Sequence, residues 1–144
     1  MSEQNKPEIL KMELEALSKN EEFARVAVAV FMARLNPTLE EVDDVKTAVS
    51  EAVTNAVIHG YQGKGGIIYL EVGVEGQEIT ITIRDTGIGI PDIKQAMEPM
   101  YTTDPDGERT GMGFSFMEAF MDEVEVQSAP DEGTAVTMKK KING

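Results

Sequence analysis

Apolar and polar residues alternate along five short segments of the chain, and this alternation predicts five β-strands. The segments are residues 9–17, 67–74, 78–84, 123–127 and 134–139. A period of two places successive side chains on opposite faces of a sheet, so each strand has an apolar face for a core and a polar face for water. Turns at 75–77 and 130–133 join the second strand to the third and the fourth to the fifth as hairpins.

Apolar residues recur every three or four positions in the segment that begins at Asn20, which predicts an amphipathic helix. Asn20 can cap this helix, Glu21 and Glu22 favour the positive end of its dipole, and Asn36-Pro37 ends it. The predicted inner face consists of Phe23, Val26, Ala27, Val30 and Phe31.

A second helix is predicted to begin with the capping box Thr38-Leu39-Glu40-Glu41 and to end at Gly60. Its predicted inner face consists of Val42, Val45, Val49, Ala52, Val53 and Ala56. The segment 87–113 is rich in glycine and proline and is too long for a simple connection, which predicts a lid at 90–110 or, as the alternative, a disordered insert. A short helix is expected near 92–97. A third helix follows at 114–121. These elements predict the α+β fold class: a single domain, residues 1–144, in which helices cover one face of a mixed β-sheet as a two-layer sandwich.

Composition narrows the classes of function. The formal net charge is −13 and the chain has no cysteine, which disfavours a protein that reads nucleic acid phosphates and excludes a disulfide framework. No apolar segment approaches the length needed to span a bilayer. We expect a cytoplasmic protein without direct contact to nucleic acid or membrane. Its acidity serves solubility or, as the alternative, attracts a basic protein partner.

Three polar residues at helical spacing are the first candidates for chemistry. Glu51, Asn55 and His59 follow one another every four residues, which places them on one face of the second helix. The amide oxygen of Asn55 can complete the shell of a Mg²⁺ ion bound to nucleotide phosphates, because Mg²⁺ takes few protein ligands. Glu51 can accept a proton from an attacking hydroxyl group or water. The alternative interpretation of this stripe is a solvated helix face.

A second candidate is the end of the third strand. Asp85 closes an apolar strand and enters a turn that contains Gly87 and Gly89. The glycines leave room for a flat base to approach the backbone, and an adenine amino group could donate a hydrogen bond to the carboxylate. An ordinary hairpin exit uses the same residue types, and it remains the alternative.

A third candidate lies at the start of the third helix. Gly111-Met112-Gly113 leads directly into this helix, so backbone amides and the helix dipole can bind an anion. Arg109 and Thr110 can add a guanidinium group and a hydroxyl group. The alternative is a glycine-rich helix start without a ligand. The chain has no P-loop pattern, so a phosphate site here requires a different architecture.

In this order, the segments around Glu51, Asp85 and Gly111 resemble the three ATP-binding motifs of the GHKL ATPase superfamily. Residues 50–61, 99–103 and 109–114 are further similar to the anti-sigma factor serine kinases, and the similarity extends over about residues 12–138. The resemblance implies the Bergerat ATP-binding fold and the cofactors ATP and Mg²⁺.

The resemblance also implies a role for each matching residue. Glu51 matches the catalytic base, Asn55 the Mg²⁺ ligand and Asp85 the adenine contact. The remaining matches are His59 near the phosphates, Gly87 and Gly89 in the base-side turn, Arg109 at the end of the lid, Gly111 and Gly113 in the phosphate loop, and Thr134 with a hydroxyl near the adenine.

The implied partners are a sigma factor, an anti-anti-sigma protein and a second copy of the chain in a homodimer. The chain is expected to sequester the sigma factor, in the context of sporulation, and to phosphorylate a serine of the anti-anti-sigma protein. The alternative is a nucleotide-gated sigma-binding module without significant phosphotransfer. Arg25, a cation on the exposed side of the first helix, is the candidate partner contact, with an ordinary surface arginine as its alternative.

Overall fold

A five-stranded sheet with helices on one face forms the architecture of the protein. The computed structural model describes residues 7–90 and 112–144. The strands are β1 (Glu8–Glu15), β2 (Ile67–Glu75), β3 (Glu78–Asp85), β4 (Glu123–Ala129) and β5 (Gly133–Lys141), in the spatial order β1-β2-β3-β5-β4. The predicted α+β two-layer sandwich is therefore confirmed.

The sheet is antiparallel rather than mixed in the part of the chain that is described. Each of the four neighbouring pairs runs antiparallel. Strands β3 and β4 do share one direction, because a crossover that contains a helix joins them. However, β5 returns as a hairpin from β4 and pairs with both strands, so the two parallel strands never become neighbours.

Three α-helices are described. They are α1 (Asn20–Met32), α2 (Leu39–Asn55) and α3 (Met112–Phe120). A 3-10 turn, Ala33–Leu35, extends α1, and a single turn of π-helix, Ala56–Gly60, extends α2. Helix α2 packs against both α1 and α3. No helix within residues 7–90 and 112–144 is long and apolar enough to cross a membrane, and the predicted short helix near 92–97 lies outside the described residues.

The capping box that was predicted at the start of α2 is present. The amide of Glu41 donates to Oγ1 of Thr38 at 3.1 Å, and the amide of Thr38 donates to Oε1 of Glu41 at 2.9 Å. The other carboxylate oxygen of Glu41 accepts from the amide of Asn143 at 2.7 Å. The start of α2 is thereby tied to the segment that follows β5.

The predicted inner face of α1 is wrong for Phe23, Val26 and Val30, although Phe31 does pack, half-buried, against the core. The buried residues of α1 are Ala24, Val28 and Met32, whereas 57% of Phe23 and 70% of Val30 are exposed. Both stripes recur at helical spacing, so the sequence pattern alone does not choose between them. Ala24, Val28 and Met32 recur every four residues and form the face of α1 that packs against the core. The predicted N-cap at Asn20 is also wrong, because its amide group donates to the carbonyl of Glu15.

The hydrophobic core lies between the inner face of the sheet and the helices. Helix α2 contributes the predicted stripe, of which Val42 is only half-buried. The largest fully buried side chains are Met32, Ile68, Leu70, Ile79, Ile81, Met117, Met138 and Ile142. This packing fixes the end of α2 above the end of β3, where the candidate site lies.

Candidate functional site

Asp85 and Thr134 form a cross-strand pair at one end of the sheet. They lie opposite each other in the register of β3 and β5, so both side chains project from the inner face. Among the described residues they are the two buried polar side chains, with 5% of Asp85 and 8% of Thr134 exposed. A buried carboxylate beside a buried hydroxyl group marks this end of the sheet as a candidate binding site.

The carboxylate of Asp85 is held by backbone amides. Its Oδ1 accepts from the amide of Gly87 at 2.9 Å, and the amide of Thr134 also donates to it. Burial raises the pKa of Asp85 above its ordinary value, although these two hydrogen bonds and the nearby charge of Arg84 oppose the shift. An additional hydrogen-bond donor on a ligand would stabilise the charged form, and the exocyclic amino group of adenine is such a donor.

The π turn after α2 closes over Asp85. The Cα of Gly60 lies so near the carboxylate that an added Cβ would be 2.7 Å from Oδ2 of Asp85. A Cβ on Gly87 would lie 2.0 Å from the carbonyl oxygen of Gly60, and that oxygen accepts from the amide of Ile88 at 2.9 Å. The end of α2 is therefore docked directly on residues 85–88, which we call the Asp85 turn.

The β4–β5 hairpin supports the same segment from the other side. Gly89 has a φ of +77°, and an added Cβ would lie 2.0 Å from the carbonyl oxygen of Ala129. The amide of Asp131 donates to the carbonyl of Ile88 at 2.6 Å. Gly87 and Gly89 are thus each in close contact with protein backbone, at Gly60 and Ala129 respectively. The approach of a flat base to these two glycines stays a prediction.

Ser128 belongs to this site, although the sequence analysis did not select it. Its Oγ accepts from the amide of Ile90 at 2.7 Å, lies 2.8 Å from Oγ1 of Thr134 and donates to the carbonyl of Gly133 at 2.9 Å. A serine within an alternating strand carries no local signal for such a role. The sequence offers one clue: Ser128 lies near the end of its strand, close to the hairpin turn, and opposite Thr134 on the next strand.

The stripe of polar residues on α2 lies at the same end of the sandwich. Glu51, Asn55 and His59 are all half-buried and alternate with the buried Ala52 and Ala56. Glu51 and Asn55 lie on the α-helix, but His59 lies in the π turn. A π turn rotates less per residue than an α-helix, so His59 deviates from the position that a regular helix predicts. It directly precedes Gly60, which contacts Asp85.

Part of the candidate phosphate site lies outside the described residues. This applies to Arg109, Thr110, Gly111 and most of the predicted lid from Ile90 to Thr110. Helix α3 begins at Met112, so the glycine motif does lead directly into a helix, as predicted. Of Gly113 only its place in this helix is described.

Arg25 is less free than a solvated surface arginine. Its guanidinium group donates to Oε1 of Glu21 at 3.2 Å, and 37% of the side chain is exposed. The same carboxylate oxygen accepts from the hydroxyl of Ser50 on α2. The Nε atom of Arg25 is buried and has no hydrogen-bond partner in the described part of the chain. Glu21 therefore links the arginine to Ser50, the residue that precedes Glu51, at the junction of α1 and α2.

The chain is similar to a known domain family and to known proteins along most of its length. Residues 14–140 match the model of a histidine kinase-like ATPase domain. The chain is 59% identical over 134 residues to the anti-sigma F factor of Clostridium acetobutylicum, covering 92% of this chain and 94% of that protein. It is 60% identical over 136 residues to the anti-sigma F factor of Clostridium botulinum strain Alaska E43, covering 92% and 95%.

Solved structures share the fold at lower sequence identity. The RsbU and RsbW domains of Rv1364c from Mycobacterium tuberculosis align with a TM-score of 0.68 and 21% identity, over 94% of this chain and 32% of that longer chain. The catalytic domain of the histidine kinase ThkA aligns with a TM-score of 0.57 and 16% identity, over 94% of this chain and 96% of that one.

Proposed function

The chain belongs to the histidine kinase-like ATPase domain family, and on this premise we propose that it is an ATP-dependent protein serine kinase and an anti-sigma factor. It sequesters a sporulation sigma factor and phosphorylates a serine on an anti-anti-sigma protein. The observation that carries the proposal is the identity of 59% and 60% to anti-sigma F factors along 92% of the chain. Similarity of this extent covers the complete candidate site.

Adenine is the base that the described site suits. The carboxylate of Asp85 is buried, and an ionised carboxylate can accept hydrogen bonds but cannot donate them. Recognition of an amino group requires such an acceptor. Guanine presents a carbonyl oxygen at the corresponding position, and this oxygen would face the carboxylate without a proton between them. Gly60 and Gly87 allow the end of α2 to pack directly on the Asp85 turn, and the hydroxyl of Thr134 provides a second polar contact for the base.

The polar stripe of α2 is assigned to the phosphate end of the nucleotide. Asn55 provides the protein ligand of Mg²⁺, and His59 lies near the phosphates. Glu51 orients the acceptor serine and takes its proton. The amides of Gly111 and Gly113, together with Arg109 and Thr110, stabilise charge on the transferred phosphoryl group. Mg²⁺ supplies neutralisation of charge on the phosphate oxygens.

Arg25 is assigned to partner binding. Glu21 holds its guanidinium group at the junction of α1 and α2, and its buried Nε lacks an acceptor in the described residues. The Nε atom itself is buried, so a carboxylate of a protein partner would bind the exposed part of the guanidinium group, since 37% of the side chain is exposed. We assign the protein to a cytoplasmic homodimer that binds the sigma factor and the anti-anti-sigma protein.

The test of the proposal is phosphotransfer from labelled ATP with Mg²⁺ to a candidate anti-anti-sigma protein. We expect the label on a serine of the acceptor. Glu51→Gln should slow transfer by about 10² to 10⁴ while the affinity for ATP changes little. Glu40→Gln, at the exposed start of the same helix, is the matched control and should transfer at the wild-type rate.

The same experiment separates the kinase from a nucleotide-gated module. A module would retain the sigma factor in the presence of ATP but would leave the acceptor unlabelled. Unchanged transfer by the Glu51→Gln variant would remove Glu51 from the mechanism.

A further inference from the structure

The hydroxyl group of Tyr61 joins separate parts of the chain beside Asp85. Its oxygen lies 2.5 Å from the carbonyl oxygen of Ile67, 2.8 Å from the amide nitrogen of Thr86 and 3.1 Å from Oγ1 of Thr86. A phenol has one proton to donate, and the carbonyl can only accept. Tyr61 therefore donates to Ile67 and accepts from both groups of Thr86. One hydroxyl ties the start of β2 to the residue that follows Asp85.

The aromatic ring of Tyr61 is held in place by a glycine. A Cβ added to Gly66 would lie 2.5 Å from the ring, so the ring packs directly on the backbone before β2. The ring is half-buried. This packing leaves the hydroxyl group little freedom, because a shift of the ring would have to move the start of the strand.

Consecutive residues after α2 hold the Asp85 turn at three points. The Cα of Gly60 packs against the carboxylate of Asp85, and the carbonyl of Gly60 accepts from the amide of Ile88. The hydroxyl of Tyr61 provides the third point, at Thr86. On the side of residues 60 and 61, the first two contacts use backbone atoms of Gly60, whereas the third uses the side chain of Tyr61. A substitution of Tyr61 can therefore remove one contact and keep the backbone of the π turn.

These contacts set the distance between two ends of one binding site. The π turn that ends at Gly60 continues α2, which carries Glu51 and Asn55. The Asp85 turn carries the carboxylate that suits adenine. A nucleotide that binds both must span a fixed separation, so a shift of the Asp85 turn against α2 would weaken the contact to the base.

We propose that Tyr61 is a positioning residue of the nucleotide site: its hydroxyl fixes the Asp85 turn against the end of α2 and thereby sets the preference for adenine. The inference rests on the proposed function, since it assumes that adenine nucleotides bind here. Tyr61 acts through Asp85 and makes no contact of its own with the base.

The test compares ATP with GTP in the Tyr61→Phe variant. Both nucleotides are titrated, with Mg²⁺, against a bound fluorescent ATP analogue. We expect the Kd for ATP to rise about fivefold, the equivalent of one net hydrogen bond, while the Kd for GTP stays unchanged. The ratio of the Kd for GTP to the Kd for ATP, which measures the preference for ATP, therefore falls by the same factor. A merely structural defect would weaken both nucleotides equally and would leave their ratio unchanged.

Two further variants complete the design. Tyr69→Phe removes the hydroxyl of a tyrosine on β2 whose ring packs on Arg84, and it should retain the wild-type ratio. Thr86→Val removes one donor to Tyr61 but keeps the amide, and it should lower the ratio by less than Tyr61→Phe does. Urea unfolding of each variant shows that it is folded at the temperature of the titration.

The outcomes are distinct. A wild-type ATP to GTP ratio in the Tyr61→Phe variant overturns the proposal, as does an equal loss of both nucleotides. Absence of ATP binding to the wild-type protein overturns the proposed function and this inference with it. A lower ratio in Tyr61→Phe with an unchanged ratio in Tyr69→Phe supports the positioning role.

Discussion

At the scale of single residues, Asp85 shows how binding and folding make opposite demands on one side chain. Backbone amides of Gly87 and Thr134 donate to its carboxylate, yet burial still raises its pKa above the ordinary value of 3.8. A raised pKa means that the folded protein binds the proton more tightly than the unfolded chain does. The contribution of Asp85 to the free energy of unfolding therefore increases as the pH falls through the pKa of the folded state.

We predict that Asp85→Asn weakens ATP binding without weakening the fold. The variant loses a charged acceptor, which corresponds to a rise in Kd of about 10- to 150-fold. It also loses a desolvated charge, so the melting temperature of the nucleotide-free protein should stay equal or rise. Calorimetric titration and thermal unfolding measure the two effects. Asp43→Asn, at an exposed position of α2, should leave the affinity unchanged, and an equal ATP affinity in Asp85→Asn would contradict the adenine role.

At the scale of the elements, the features that the sequence predicts well are those with local causes. The capping box of Thr38 and Glu41 and the β2–β3 hairpin depend on neighbouring residues, so their patterns are readable. The buried face of α1 and the π turn depend on packing against distant segments. Residues of either stripe of α1 suit a core, and Gly60 ends a π turn because it must dock on Asp85. The roles of Ser128 and Tyr61 arise only when remote backbone groups come within reach of their hydroxyls.

We predict that Glu41→Ala lowers the free energy of unfolding by about 1 kcal/mol, the usual value of a helix cap. The variant loses the hydrogen bonds from the amides of Thr38 and Asn143, which also lower the pKa of Glu41. Because the pKa of Glu41 is lower in the folded protein, its carboxylate adds to the free energy of unfolding at a pH above its pKa in the unfolded chain. This contribution is lost as the pH falls through the pKa in the folded protein. Urea unfolding at neutral pH measures the loss, with Glu40→Ala as the control in the same helical turn. Equal stability of the two variants would show that the cap contributes nothing.

At the scale of the whole molecule, the net charge of −13 opposes the approach of an anionic nucleotide. The site offers backbone amides and a buried carboxylate in its described part, so attraction has to act at short range. Repulsion between the protein and the nucleotide acts over a Debye length of about 10 Å at 0.1 M salt. Salt therefore weakens the long-range repulsion between the protein and the nucleotide more than it weakens the short-range contacts within the site.

We predict that the association rate constant of ATP rises as the ionic strength increases from about 0.01 to 0.15 M. Stopped-flow fluorescence at constant free Mg²⁺ measures this rate. Adenosine, which carries no phosphate, serves as the control and should associate at a rate that salt does not change. A rate for ATP that falls with salt would place an attractive cationic field at the mouth of the site.

The pairing of β3 with β5 also determines when the pocket can exist during synthesis. Asp85 emerges from the ribosome well before Thr134, its partner across the sheet. The nascent chain can complete α2 and the β2–β3 hairpin early, but the wall opposite Asp85 is translated only with β5. A nascent chain that ends before β5 should therefore be unable to capture ATP, and we expect ATP binding to require that β5 has left the exit tunnel.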